Sequence, residues 1–182
     1  MTLAAQPVMT PVASSDFKQA MRYLAGAVTI VTTGEGAERR GLTATAVCSL
    51  SADPPRVIAC INRNGITYEM ISKSRRLGIN ILSAAHQSLA MRFAGMKDIG
   101  DVDRFSEGRW RTLTTGAPIL DDALTAFDCT LNVAIDVGSH AIIVADIVGI
   151  KNNSGGEPLL YMESAFKTIA PAQALAAAAA VQ

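Results

Sequence analysis

The chain has 182 residues, 49% of them hydrophobic and 18% charged, with sixteen basic residues against sixteen acidic ones. This composition is typical of one globular domain and excludes a disordered chain. The charge balance argues against a nucleic-acid partner. Because the domain has no apolar run long enough to span a bilayer and no charged leader precedes an apolar segment, we expect a cytoplasmic protein that does not bind membranes.

Composition divides the chain into three parts. Residues 1–14 are interrupted by prolines and are predicted to form a flexible N-terminal arm. Residues 15–170 carry the alternating apolar patterns of a single domain. Residues 171–182 are mostly alanine without an amphipathic face, so we predict a flexible tail.

The domain alternates short strands with a few helices. Residues 95–108 are polar and rich in glycine and aspartate, which predicts a mobile surface segment. The first helix carries its apolar residues on one face, namely Phe17, Ala20, Met21 and Leu24. In chain order we predict a helix over 16–24 capped by Ser14 or Ser15, a hairpin from 27 through the glycine turn at 34–36 into residues 41–51, a strand over 56–61, a helix over 66–74, a strand over 77–82, a helix over 86–94, long strands over 126–137 and 140–151, and a short strand over 159–162. Six or more strands with few helices indicate a mainly β fold, an antiparallel barrel with short covering helices.

Residues 41–55 form the most informative segment. The hydroxyls of Thr43, Thr45, Ser49 and Ser51 stand at odd positions, and the residues between them are small or apolar. Successive side chains of a strand point to opposite faces, so one face carries the hydroxyls, and Ala44, Ala46 and Cys48 point toward a core. Hydroxyls beside small residues suit a phosphate or the edge of a flat ring. The same alternation is also typical of an ordinary half-buried edge strand.

This segment resembles the flavin-binding loop of the short-chain NAD(P)H:flavin reductases. Similar motifs follow in register at 57–63, 77–83, 93–96, 104–110, 116–120, 126–129 and 138–140, so the resemblance covers about residues 16–168. Within that family the chain is most similar to the reductase component of 4-hydroxyphenylacetate 3-monooxygenase and to relatives in pyrimidine and corrinoid metabolism. The resemblance implies a six-stranded antiparallel split β-barrel, the FMN-binding split barrel, and a homodimer with flavin near the subunit interface.

The resemblance also implies an activity. A hydride would pass from NADH or NADPH to FMN or FAD, and the reduced flavin would reach a flavin-dependent oxygenase component, either by diffusion or by transient contact. Two alternatives remain open: a non-catalytic flavin-binding module for electron relay, and a reductase that uses bound flavin on a dedicated acceptor such as a corrinoid. No G-x-G-x-x-G or Walker loop is present, so a separate nucleotide-binding domain is not expected.

By resemblance, three stretches of the chain form the flavin site. The implied flavin contacts are Thr43, Ala44, Thr45 and Ala46 at the ring edge and ribityl chain, Ser49 and Ser51 nearer the phosphate, Cys60, Ile61, Asn62 and Arg63 as a second wall, Thr67 at the phosphate, and Arg92 and Phe93 closing the site. Without the family, Arg63 and Arg92 are read as ordinary surface charges.

His140 is the candidate catalytic residue. The resemblance places it on the nicotinamide side, in a Gly138-Ser139-His140 motif whose middle position is aspartate in the family. Loss of that carboxylate removes one group that could orient the imidazole. A histidine at the start of a strand also serves often as a structural hydrogen-bonding residue.

The remaining polar and sulfur-bearing residues give weaker signals. Cys48, Cys60 and Cys129 are widely spaced and are predicted to be small buried hydrophobes without a disulfide. His86 is predicted to lie on the surface, and no metal site is expected from two histidines without ligand spacing. The choice between FMN and FAD stays open, as does that between NADH and NADPH. Four arginines could meet a 2′-phosphate or be plain surface charge, namely Arg39, Arg40, Arg75 and Arg76.

Overall fold

The computed structural model describes residues 10–96 and 103–169. The predicted tail, most of the predicted arm and the centre of the 95–108 segment lie outside these ranges. The helices are α1 (Ser14–Met21), α2 (Ile66–Ser74) and α3 (Gln87–Phe93), with 3₁₀ turns at Gly36–Glu38, Ala84–His86 and Arg104–Ser106. The strands are β1 (Gly26–Ala27), β2 (Thr29–Thr33), β3 (Arg40–Ala44), β4 (Val47–Ala52), β5 (Pro55–Asn62), β6 (Arg76–Ile81), β7 (Trp110–Thr112), β8 (Pro118–Leu120), β9 (Thr125–Val137), β10 (His140–Asn152), β11 (Leu160–Met162) and β12 (Ala165–Lys167). None of the described helices is both long and apolar enough to cross a bilayer.

One antiparallel sheet dominates the fold, with its strands in the order β3-β2-β6-β9-β10-β5-β4. The prediction of a mainly β, antiparallel fold with short covering helices is confirmed. The finer prediction of a six-stranded split β-barrel is not confirmed, because this sheet has seven strands and no ladder joins its edge strands β3 and β4. Only two residues of the chain, Thr45 and Ala46, connect the end of β3 to the start of β4. The sheet must therefore curl until these two edge strands come close, and a gap remains between them beside β3.

The core lies on both sides of the curled sheet. An inner cluster fills the curl and is closed at one end by Ile71 of α2, and an outer cluster packs α3 and β8 against the back of β2 and β6. All five residues of β2 are buried, since its faces serve both clusters. The largest fully buried side chains are Phe93, Ile30, Ile61, Ile71, Leu77, Ile79, Leu82, Ile119, Leu120, Ile143, Val28 and Val31.

Helix α1 forms where the sequence predicts a helix, but its start and packing differ. The residue before it is Ala13, and neither Ser14 nor Ser15 provides a side-chain cap; the helix starts earlier than predicted and both serines lie inside it. No residue of α1 is buried. Its apolar residues are therefore largely exposed, with Phe17 at 56% and Met21 at 44%.

Two predictions about burial are wrong. Cys48 is exposed because it lies on the edge strand β4, whereas Cys60 is half-buried and Cys129 is buried. Burial raises the pKa of the Cys129 thiol to about 12. His86 is not a surface residue: its side chain is 11% exposed, and its Nδ1 lies 2.9 Å from the Ser83 hydroxyl in a capping box.

Candidate functional site

The first predicted wall lies along the open edge of β3. The predicted alternation holds as far as Ala44, which packs against the inner cluster while the Thr43 hydroxyl donates to the carbonyl of Ala90 at 2.7 Å. It fails beyond the bend, because Ala46 is exposed and does not face the core. Thr45 lies so close to Gly26 that a Cβ at position 26 would come within 2.8 Å of the threonine Cβ. The chain bends here, and β3 ends at Ala44 with backbone groups of its outer edge facing the gap.

The second wall meets the first at the bend after β3. The amide of Cys60 donates to the carbonyl of Ala46 at 2.9 Å. Cys60 is half-buried and Asn62 is exposed, but Ile61 points into the inner cluster and is 1% exposed. Thus Ala46, Cys60 and Asn62 line one continuous surface, and Ile61 can reach a ligand there only through its backbone.

His140 stands at the end of this second wall. It pairs directly with Asn62 across β5 and β10, and its Nδ1 lies 2.9 Å from the Ser139 hydroxyl. The neighbouring Arg63 guanidinium lies 2.9 Å from the carboxylate of Asp136. A hydroxyl at position 139 can therefore fix the ring orientation of His140 in place of a carboxylate.

Two residues of this corner were not found from the sequence. The Tyr68 hydroxyl donates to Asp136 at 2.6 Å, and this bond to a carboxylate raises the pKa of Tyr68 above its usual value. Asp136 therefore joins Arg63 to Tyr68 of α2. Nothing in the local spacing signals this, because the three residues come from separate elements.

A basic pocket of about 290 Å³ lies at the amino end of α2. Thr67 is 5% exposed, yet its hydroxyl makes no hydrogen bond with any described residue, and it lines this pocket. Gly65 precedes the helix without a side-chain cap, so the first helical N–H groups can receive an anion. The Arg104 guanidinium, which the sequence analysis gave no role, reaches the carbonyl of Gly41 at 3.4 Å. The pocket is lined by Arg39, Arg40, Gly41, Ile66, Thr67, Asp103, Arg104 and Phe105.

Four predicted site residues lie elsewhere. Phe93 is 1% exposed and packs beneath Gly41, where a Cβ would come within 2.8 Å of the ring. Arg92 is held by Glu107 at 3.0 Å with 16% of its side chain exposed. Ser49 and Ser51 pair beside Val57 and Arg56, at the far end of β5 from Asn62. The separation is about 20 Å at the usual strand rise, so these two serines do not reach the pocket at Thr67.

Two cavities adjoin Thr45. The smaller, of about 170 Å³, is lined by Val28, Thr43, Ala44, Thr45, Ala94, Met96, Tyr161 and Phe166. The larger, of about 460 Å³, is lined by Phe17, Lys18, Met21, Arg22, Leu24, Ala25, Gly26, Thr45, Ala46, Tyr161, Met162, Glu163 and Ser164. Small residues, free strand-edge groups and a basic pocket form a surface that suits a flat ring joined to a phosphate.

Comparison with known proteins gives consistent matches along most of the chain. The profile of the flavin reductase-like domain matches residues 21–170. The FMN reductase (NADH) RutF of Agrobacterium fabrum is 41% identical over 156 residues, covering 86% of this chain and 88% of that protein. A crystal structure from Haemophilus somnus 129PT superposes with a TM-score of 0.82 at 41% identity, covering 87% of this chain and 100% of the other. BorF, the flavin reductase component of a bacterial two-component tryptophan halogenase, gives a TM-score of 0.79 at 27% identity over 87% of this chain and 99% of that chain.

Proposed function

The chain belongs to the family of flavin reductase-like domains, and on that basis we propose that it is an NADH-dependent FMN reductase. The family resemblance inferred from the motifs is thereby confirmed, while the closer similarity to the 4-hydroxyphenylacetate reductase component stays a prediction. The observation that carries the proposal is the meeting of the two predicted walls at Ala46 and Cys60, with a basic pocket at the other end of β3.

FMN is the flavin that this surface suits best. Thr45 follows Gly41 by four positions, a separation of about 13 Å at the usual strand rise. A flavin ring at Thr45 would therefore extend its ribityl chain along the open edge of β3 and place its phosphate in the basic pocket. There the buried Thr67 hydroxyl and the N–H groups that begin α2 would receive the phosphate, and the arginine side chains would balance its charge.

The chain's own residues act by binding and orienting. Bound flavin accepts a hydride from the reduced nicotinamide, so the protein has to hold the two rings in contact. We place His140 on the nicotinamide side, at the end of the second wall, with its ring orientation fixed by Ser139. The small side chains of Ala44 and Ala46 let a ring approach the backbone closely.

We further propose that two copies associate through the outer face of the sheet. Val133, Ile135 and Val137 of β9 are 43%, 50% and 56% exposed, and in the sheet they continue across β10 and β5 through Ile142 and Cys60. Apolar surfaces of this extent are typical of interfaces. We favour a second copy of the chain as the partner on this face. A symmetric pairing would cover the apolar rows of both copies at once. The same face ends at Asn62 and His140, next to the proposed flavin site.

Reduced flavin would leave this protein for a separate flavin-dependent oxygenase. Both Asn62 and His140 are exposed, so the proposed site opens to solvent and allows the flavin to dissociate. BorF, by its name, is the flavin reductase component of such a two-component system, in which the other component is a tryptophan halogenase. For this chain the receiving oxygenase is part of the proposal.

The test is steady-state oxidation of NADH by the purified protein with FMN, FAD, riboflavin or no flavin added. We expect saturable, flavin-dependent oxidation with FMN preferred over riboflavin, since riboflavin lacks the phosphate that the pocket would bind. Equal use of FMN and riboflavin would contradict the phosphate placement. Tight flavin binding without NADH oxidation would instead favour a flavin-binding module or a dedicated acceptor.

A further inference from the structure

A cavity of about 530 Å³ lies where the carboxyl end of α2 meets the middle of β9. It is separate from the proposed flavin site. Helix α2 is nine residues long, and its amino end, about 13 Å away at the usual helical rise, faces the basic pocket at Thr67. Among the described residues that line the cavity there are two arginines, Arg75 and Arg76, and no carboxylate. The cavity is therefore a candidate site for an anion.

The guanidinium of Arg75 is held in place, but its charge is not neutralised. Its Nη2 donates to the carbonyl oxygens of Leu131 at 2.6 Å and Asn132 at 3.0 Å. Both acceptors are uncharged, and Arg75 forms no ion pair within residues 10–96 and 103–169. Its Nε and Nη1 groups make no hydrogen bond with the described chain. A positioned cation with donors to spare favours an anionic ligand.

The carboxylates around this cavity already have other partners. Glu35 lies 2.6 Å from Arg76 and balances the second arginine. Asp146 of β10 lies 2.5 Å from Arg56. Asp128 is fully buried, so its carboxylate cannot reach a ligand in the cavity. The positive charge at the carboxyl end of α2 is therefore left to face the cavity.

Two threonine hydroxyls add further donors to the same cavity. Thr130 lies directly opposite Arg76 in the ladder between β6 and β9, and Thr114 lies between β7 and β8. Both residues line the cavity, and neither hydroxyl makes a hydrogen bond with any described residue. Hydroxyl groups can donate to the oxygens of an anion. Val148, which is 46% exposed, gives the same cavity an apolar surface.

We propose that this cavity binds a phosphate monoester that carries an apolar group. The fork of Arg75 and the hydroxyls of Thr114 and Thr130 would hold the three terminal phosphate oxygens, and the apolar group would pack on Val148. A carboxylate has only two oxygens and would leave one of these donors unused. The volume lies within the usual range for small-molecule sites. The inference goes beyond the proposed function, because this ligand takes no part in hydride transfer.

The test is calorimetric titration of the FMN-saturated protein with phenyl phosphate, and separately with its two halves, inorganic phosphate and phenol. Saturating FMN fills the pocket proposed for its own phosphate, so the titration reports on the second cavity. We expect phenyl phosphate to bind at least about 10-fold more tightly than either half, since each half lacks one set of contacts. Arg75→Gln should raise the Kd for phenyl phosphate about 10-fold or more, and Thr130→Val about 5-fold, the scales of a charge-assisted and an ordinary hydrogen bond.

Lys73→Gln is the matched control, because Lys73 is a cation of the same helix that pairs with Glu69 and does not line the cavity. Arg75→Gly guards against misfolding: residue 75 has a φ of 56°, which glycine favours, so this variant should stay folded and still lose binding. The absence of binding to the wild-type protein would overturn the proposal, as would equal affinity in the Arg75→Gln variant or an equal loss in Lys73→Gln. None of these outcomes requires NADH oxidation. If the protein binds no FMN, the same titration without flavin decides, since only the cavity at Arg75 responds to the Arg75 variants.

Discussion

At the scale of single residues, position 139 shows how one residue of a motif changes the interaction that orients the neighbouring imidazole. A carboxylate before His140 would orient the imidazole by charge, whereas Ser139 does so with a hydroxyl 2.9 Å from Nδ1. A hydroxyl can donate or accept, so this contact is compatible with either neutral tautomer of the ring. The exposed Nε2 edge is thereby left for the ligand side of the ring.

The variant His140→Ala tests this assignment. We expect kcat/KM for NADH to fall about 10- to 100-fold, because the ring positions the donor and bound geometry controls the rate. The Kd for FMN, measured by fluorescence titration, should change by less than about 2-fold, below the cost of one lost hydrogen bond. Ser139→Ala should have a smaller effect in the same direction. If His140→Ala weakens FMN binding as much as NADH use, the residue belongs to the flavin side.

At the scale of elements, the bend at Thr45 and Ala46 determines the architecture. A single strand through residues 41–51 would have continued one edge of the sheet. Instead Thr45 packs against Gly26 and Ala46 bonds to Cys60, so the chain crosses to β5 and continues as β4 on the opposite edge. This crossing provides the seventh strand and creates the gap in which the site lies.

Strand β6 is the element where added volume should be least tolerated. A Cβ at Gly78 would come within 2.5 Å of Thr32 Oγ1 and 2.6 Å of the Pro118 carbonyl oxygen. Gly78→Ala should therefore lower the free energy of unfolding by about 1–3 kcal/mol, measured by chemical denaturation. Gly65→Ala is the control, since its Cβ would meet nothing closer than 3.7 Å and the expected loss is below about 1 kcal/mol. Equal losses in the two variants would show that the close approach at Gly78 is relieved without cost.

At the scale of the whole molecule, the exposed apolar rows of β9 and β10 lead to the proposed dimer. The border of this face is polar, because Arg56 and Asp146 pair with each other at 2.5 Å, and Asn132 donates to the same carboxylate at 2.8 Å. Charges that are satisfied within one chain do not need a partner from the other. An apolar centre with a polar rim is the usual anatomy of an interface.

The variant Ile135→Asp tests the dimer by placing a charge in the centre of this face. We expect a dimer for the wild-type protein and a monomer for the variant in sedimentation velocity, because an unpaired carboxylate is costly to bury. Val12→Asp makes the same kind of change at a 73% exposed position ahead of α1 and should leave the dimer intact. A wild-type monomer at all concentrations, or a dimeric Ile135→Asp protein with normal stability, would contradict the proposal.

The sequence by itself determined the family and most of the elements, although the short strands β7, β8 and β12 were not predicted. Period-two patterns predicted the long strands that became β9 and β10, and ordered motifs pointed to a flavin reductase, since both signals depend on residues close together in the chain. Tertiary structure decided the rest: on which edge β4 pairs, that Phe93 and Ile61 are buried, that Ser51 lies far from Thr67, and that Arg104 joins Thr67 in one pocket. These outcomes depend on contacts between distant residues, whose choice among alternative pairings is set by burial and backbone hydrogen bonding over the whole sheet and leaves no local pattern.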